Sequence, residues 1–147
     1  MAIYLNNNVG IKLATAAAPT VPSVDISSLV SSVTLTQTFD ELEVTSMGDL
    51  SHRYVAGLQA GNFSIDFFND WASTQVMQTL NAAVGTTLAV SMITVKGTAV
   101  SAANPSYQFS ILVNNLTPVS GAVQDEAASS LSFTVNSVIT VSPSVAF

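Results

Sequence analysis

Asn62-Phe63-Ser64-Ile65-Asp66-Phe67-Phe68 decides the fold. Phe63, Ile65 and Phe67 alternate with Ser64, Asp66 and Phe68, and a period of two is that of a strand with one face in a core. Upstream, Leu29 to Thr36 and Thr38 to Thr45 form a further β-like stretch, with Val33 and Leu35 on one face and Thr34 and Thr36 on the other. Met47-Gly48-Asp49 turns it. Nearer the start, residues 2–5 and 9–14 flank Asn6-Asn7-Asn8-Val9-Gly10, whose asparagines and glycine tolerate positive φ. They predict an N-terminal arm or hairpin at about residues 1–24, ending in an extended loop from Ala14 to Val24 that holds Pro19 and Pro22.

Downstream of the deciding strand the period changes. Val76, Met77, Leu80, Ala83 and Val84 fall on one helical stripe, with Asp70 as an N-cap before Trp71 and Gly85 as the stop. The spacing predicts a helix of about four turns over residues 70–84. Strands resume at 87–95, 107–116, 128–135 and 138–142, and in 128–135 Leu131, Phe133 and Val135 point inward while Ser130, Ser132 and Thr134 point outward. Many strands and one helix predict a mainly β fold: a β-sandwich or partly closed barrel with one flanking α-helix. The loops at 97–105 and 118–127 mark no domain boundary, and 147 residues fit a single domain over 1–147.

Composition narrows the function. Only 8% of residues are charged while 48% are hydrophobic, against roughly 25% charged in ordinary soluble domains. Ser, Thr, Asn and Gln hydrate the remaining surface without the desolvation cost of burying ions when surfaces meet, which favours a subunit of an assembly. The net charge is −6 and the only cations are Lys12, Arg53 and Lys96, far fewer than the roughly six to ten phosphate contacts of a tight nucleic-acid binder. The absence of cysteine excludes disulfides, thiolate metal sites and thiol nucleophiles. No apolar run approaches the ~18 residues of a spanning helix, so the chain reads as soluble and unprocessed, with no membrane partner.

Candidate chemistry is thin, and no enzyme activity is expected. His52 is the lone histidine; Asp49 stands three residues before it, and a polar turn residue explains it better than a catalytic base. Asp40, Glu41 and Glu43 form one acidic cluster, read as a solvated or interface face, because calcium needs about six to eight oxygens converging from a turning loop. Asp125 and Glu126 lie in a turn. Gly57 and Gly61 bracket Leu58-Gln59-Ala60 without the helix and lysine of a phosphate loop, so they are expected to shape a tight turn before residue 62. Trp71, after Phe67 and Phe68, reads as core or subunit contact ahead of an aromatic binding platform. No cofactor or metal is expected.

Glu43-Val44-Thr45-Ser46-Met47-Gly48-Asp49, then Arg53, Val55-Ala56-Gly57-Leu58 and Gly61 leading into Phe63-Ser64-Ile65, resembles the tail tube proteins of long-tailed bacteriophages. In that family an acidic strand leads through a Thr-x-x-Gly-Asp turn to an arginine, and a Pro-Gly-Leu-like step opens the next strand; here Ala56 stands where proline is common. The order of the later Tyr107–Val113 strand, Gly121 and Leu131-Ser132-Phe133 is also similar, so the likeness runs from about Leu29 to Val141. It carries the motif residues Thr45, Gly48, Asp49, Arg53, Gly57 and Leu58. The resemblance implies a virion structural protein, assembled in the host bacterial cytoplasm, that stacks as homo-oligomeric rings around a bore through which DNA passes without specific binding. Its partners would be itself and other virion proteins. Capsid decoration or cementing of a phage head is the alternative role. Asp66 is the acid placed best to face a bore, an outward solvent-facing acid being its other reading.

Overall fold

The computed structural model describes residues 8–17 and 21–147. Eight strands and one helix follow in order: β1 (Gly10–Ala17), β2 (Val24–Asp25), β3 (Val30–Glu43), β4 (Tyr54–Phe68), α1 (Val76–Ala83), β5 (Thr87–Ile93), β6 (Ser106–Leu112), β7 (Ala128–Val135) and β8 (Thr140–Ser142). All eight strands belong to one antiparallel sheet ordered β2-β1-β5-β6-β7-β4-β3, with β8 also on β6.

Connectivity dictates that this sheet curls. β2 and β3 sit at opposite edges, and six strand spacings at ~4.8 Å would separate them by roughly 29 Å if the sheet were flat. Only Ile26–Leu29 joins them, and the five steps from Asp25 to Val30 reach at most ~18 Å. The edges must therefore approach, and Ser27 sits at the seam: its hydroxyl accepts from the Ile11 N–H at 2.9 Å, while the Ile26 N–H donates to the Ile11 carbonyl at 3.1 Å. A cavity of about 310 Å³, bordered by Val9, Ile11, Ser27 and Val30–Val33, shows where closure stops. The fold is thus the partly closed barrel.

Its interior is filled by the alternating faces. Phe63, Ile65 and Phe67 of β4 and Leu131, Phe133 and Val135 of β7 are buried, as the period of two requires. Ile11, Leu13, Leu88, Val90, Phe109 and Ile111 meet them from the other strands, and the Phe63 and Phe109 rings pack tilted at 5.3 Å between centroids. Val76, Met77, Leu80 and Ala83 of α1 join the same core.

Several expectations need correction. The stretch read over 29–36 and 38–45 is the single strand β3, as expected, but the deciding strand extends back to Tyr54. Gly57 and Gly61 consequently lie inside β4 and form no turn; a Cβ on Gly61 would meet Ile139 Cδ1 at 3.0 Å and Val135 at 3.1 Å, and one on Gly57 would meet Asp40 Cβ at 3.0 Å. These glycines allow close packing. The helix has 8 residues, about two turns, because Thr74 takes the left-handed conformation at φ 63° and the Asp70 carboxylate accepts from the Ala72 N–H in a local turn. Gln75 is the N-cap, and Gln78 reaches back to the Thr74 N–H at 2.8 Å. Gly85 does terminate it, at φ 81°, but Val84 is half-exposed, and Thr79 takes its place among the buried helix residues. Of the segment read as an arm and extended loop, 1–7 and 18–20 lie outside the described residues, 10–17 form β1 within the sheet, and Val24 begins β2.

Candidate assembly surfaces

β4 pairs with β7 only from Asn62 to Phe68, whereas its pairing with β3 continues to Tyr54. Beyond the Gln59 amide, whose oxygen accepts from the Ile139 N–H at 3.1 Å, β3 and β4 run on as a two-stranded ribbon. Between Thr36 and Ala56 every residue except the half-buried Asp49 is exposed. Phe39, Leu42, Val44, Tyr54, Val55 and Leu58 therefore lack cover, and Met47 and Leu50 at the tip are fully exposed, at 106% and 103% of their reference areas.

The tip is held by polar side chains. Asp49 accepts from the Ser46 N–H at 2.8 Å and its hydroxyl at 3.0 Å, and lies 3.8 Å from the Arg53 guanidinium. Thr45 accepts from the Arg53 N–H at 3.0 Å and donates to Glu43 at 2.8 Å. His52 Nδ1 lies 2.6 Å from the same Glu43 carboxylate, and the bonds from His52 and Thr45 hold that carboxyl below its ordinary value. Gly48 takes φ 100°, which a side chain would resist. The motif residues Thr45, Gly48, Asp49 and Arg53 thus converge in one clasp, while Gly57 and Leu58 lie apart on the returning strand. His52, read as a polar turn residue, is partnered by Glu43, nine residues away across the hairpin, a pairing visible only once the register is known.

A second surface is the outer face of β3, β4 and β7. Cross-strand register aligns Ser32, Asp66 and Ser130 in one row, Thr34, Ser64 and Ser132 in the next, and Thr36, Asn62 and Thr134 in a third. Ser64 bonds Ser132 at 3.2 Å, Ser132 donates to Asn62 at 2.9 Å, and Ser130 donates to Asp66, which is half-buried. Nine hydroxyl, amide and carboxylate side chains form this grid, and no cation stands among them. Each cation is engaged elsewhere: Lys12 with the Phe147 carbonyl at 3.0 Å, Lys96 with Asp25 at 2.6 Å, Arg53 with Asp49.

A groove of about 710 Å³ crosses the outer face of β5, β6 and β8. Its floor is small or neutral, with Ala89, Ser91 and Ser110, and Val21, Val138 and Phe147 stand at its walls. Ser91 is 3% exposed, and its hydroxyl has no partner among the described residues.

The remaining candidates are dispersed. Asp40, Glu41 and Glu43 are exposed along β3, Asp125 and Glu126 are exposed in the loop before β7, and no group of three or more His, Cys, Asp or Glu side chains forms a metal site among the described residues. Trp71 is 50% exposed and outside the core, which corrects one half of its reading, and Phe68 is also partly exposed. No described helix is long and apolar enough to cross a membrane. Compared with known proteins, the chain matches no family and no curated protein.

Proposed function

We propose that the protein is a virion structural subunit that assembles with copies of itself into stacked rings, as the tail tube of a long-tailed bacteriophage, forming a conduit for DNA. The observation that carries the reading is the β3–β4 ribbon: a hairpin closed by polar side chains that presents apolar side chains to solvent in a chain with few charges. Two-stranded ribbons are marginal in water unless something packs on them, and uncovered apolar area of this extent is characteristic of a protein contact. The hydroxyl grid supports the bore. A surface past which DNA slides must hydrate well and must not offer fixed cations, since these would bind phosphates. Asp66 lies in the first row of that grid.

Negative-stain imaging of the purified full chain at increasing concentration tests the reading. Rings or tubes are the expected result. Dispersed monomers throughout would reject it, and a label seen on the head surface of the phage particle, with none along the tail, would assign the chain to capsid decoration.

A further inference from the structure

The groove across β5, β6 and β8 has the dimensions and chemistry of a ligand site. Its volume of about 710 Å³ falls within the roughly 300–1,000 Å³ of small-molecule sites. No charged side chain lines it, so a charged ligand would lose hydration there without gaining a partner. Val21, Val138 and Phe147 offer apolar walls instead. One polar group is left over: Ser91 is 3% exposed, and its hydroxyl is closed off from solvent without a partner among the described residues. The register sets Ser91 between Lys12 and Gln108, and the alternation that sends Leu88 and Val90 into the core turns it to the groove side. A buried hydroxyl left unpaired costs free energy, which a bound oxygen or N–H would recover.

One wall can yield. Beyond Ser142 the chain pairs with no strand, and residues 143–147 cross the face held by side chains: Ser106 donates to the Val145 carbonyl at 2.7 Å, Gln108 to that of Ala146 at 3.4 Å and Lys12 to that of Phe147 at 3.0 Å. The Lys12 ammonium also lies 4.4 Å from the centre of the Phe147 ring. Shifting this strap breaks no ladder, so it opens a route to the Ser91 hydroxyl that the paired strands deny.

We infer that the groove is a binding site for an uncharged, largely apolar small molecule with one hydroxyl or carbonyl oxygen, which bonds Ser91 while residues 143–147 act as the movable wall. The site does not depend on self-assembly.

Nile red, a neutral dye that brightens on leaving water, is expected to bind the full chain and to be displaced by naphthol at a lower concentration than by naphthalene. Ser91→Ala should shrink that preference by roughly two- to tenfold, the worth of one net hydrogen bond. Ser110→Trp, which fills the groove floor from a half-exposed position, should weaken the dye by about tenfold or more. Val138→Asp puts a charge on an exposed wall residue, should weaken the dye as well, and decides the matter should Ser110→Trp misfold. Lys12→Met frees the strap and should speed dye entry in stopped-flow mixing; an unchanged rate would show the wall to be fixed. A parent that binds no dye overturns the site. Binding that survives both groove variants places the dye on the ribbon and overturns it equally, and an unchanged naphthol preference in Ser91→Ala overturns the role of the hydroxyl. Rings formed by a parent that binds no dye would leave the self-assembly reading standing.

Discussion

The two halves of β4 are made of similar residues and surrounded differently. From Asn62 to Phe68 the strand lies between β3 and β7, and Phe63, Ile65 and Phe67 are sealed in the core. From Tyr54 to Leu58 it lies against β3 alone, and Tyr54, Val55 and Leu58 face solvent. Hydrophobicity therefore does separate work at the two ends of one strand. At one end it stabilises the monomer. At the other it leaves apolar area open to solvent, and the polar clasp at Thr45, Asp49 and Arg53 supplies the local order that packing does not.

Truncation should break this contrast most sharply. Phe133→Ala, opposite Phe63 in the core, is expected to cost about 3–5 kcal/mol in denaturant unfolding, through lost burial and the cavity left behind. Leu58→Ala removes a side chain that is 81% exposed and should stay within about 0.5 kcal/mol of the parent. A large loss at Leu58 in the monomer would mean that the ribbon is covered within the chain.

The two glycines of β4 sharpen the comparison. Gly61→Ala presses a methyl against Ile139 and Val135, both held by the body, and should destabilise by about 1–3 kcal/mol. Gly57→Ala meets Asp40 and Leu42 on the ribbon, where the two strands can separate slightly, and the cost is expected to be smaller. Unfolding midpoints of the two variants decide the order.

What was legible in the sequence follows the same division. Alternation in 62–68 and 128–135 fixed which side chains point inward, because strand geometry leaves no other choice. Alternation could not reveal that β4 continues through Gly57 and Gly61, since glycine signals turns and close packing alike, and only Ile139 and Asp40 distinguish them. The helical stripe was readable, but its start depended on the backbone of Thr74, which no periodicity encodes. Thr45, Gly48, Asp49 and Arg53 were legible as a motif; the Glu43–His52 pair and the groove were not, because both arise from strand pairing over long separations.

The clasp itself gives a smaller effect. Asp49→Ala removes the acceptor for the Ser46 N–H and hydroxyl and the partner of Arg53, all near the surface. Global stability should change by less than about 1 kcal/mol. Amide exchange between residues 44 and 53 is expected to accelerate while that of β7 stays unchanged. Equal acceleration in both regions would show that the ribbon and body unfold as one unit and would erase the distinction.

Acid titration probes the two regions with the weakest effect. In the body, partial burial raises the Asp25 pKa, but bonds from Lys96 and Ser27 outweigh that and leave it below the ordinary value of 3.8. In the ribbon, His52 and Thr45 lower that of Glu43 from 4.5. A carboxyl depressed on folding stabilises the folded chain above its unfolded pKa and loses that contribution as pH falls through the folded value. Both contributions are therefore complete at pH 7 and decline in the acid range, below 3.8 for Asp25 and below 4.5 for Glu43. Their structural reach differs. Asp25 ties β2 to Lys96 and to Ser27 at the seam, so its protonation should lower the global unfolding midpoint slightly, and Asp25→Asn should flatten that part of the pH profile. Glu43 holds only the fully solvated tip, so Glu43→Gln should leave the global profile unchanged and alter amide exchange at Thr45 and His52 alone. If Glu43→Gln instead shifts the unfolding midpoint as Asp25→Asn does, the ribbon is energetically part of the barrel, and its apolar side chains need another explanation than a waiting partner.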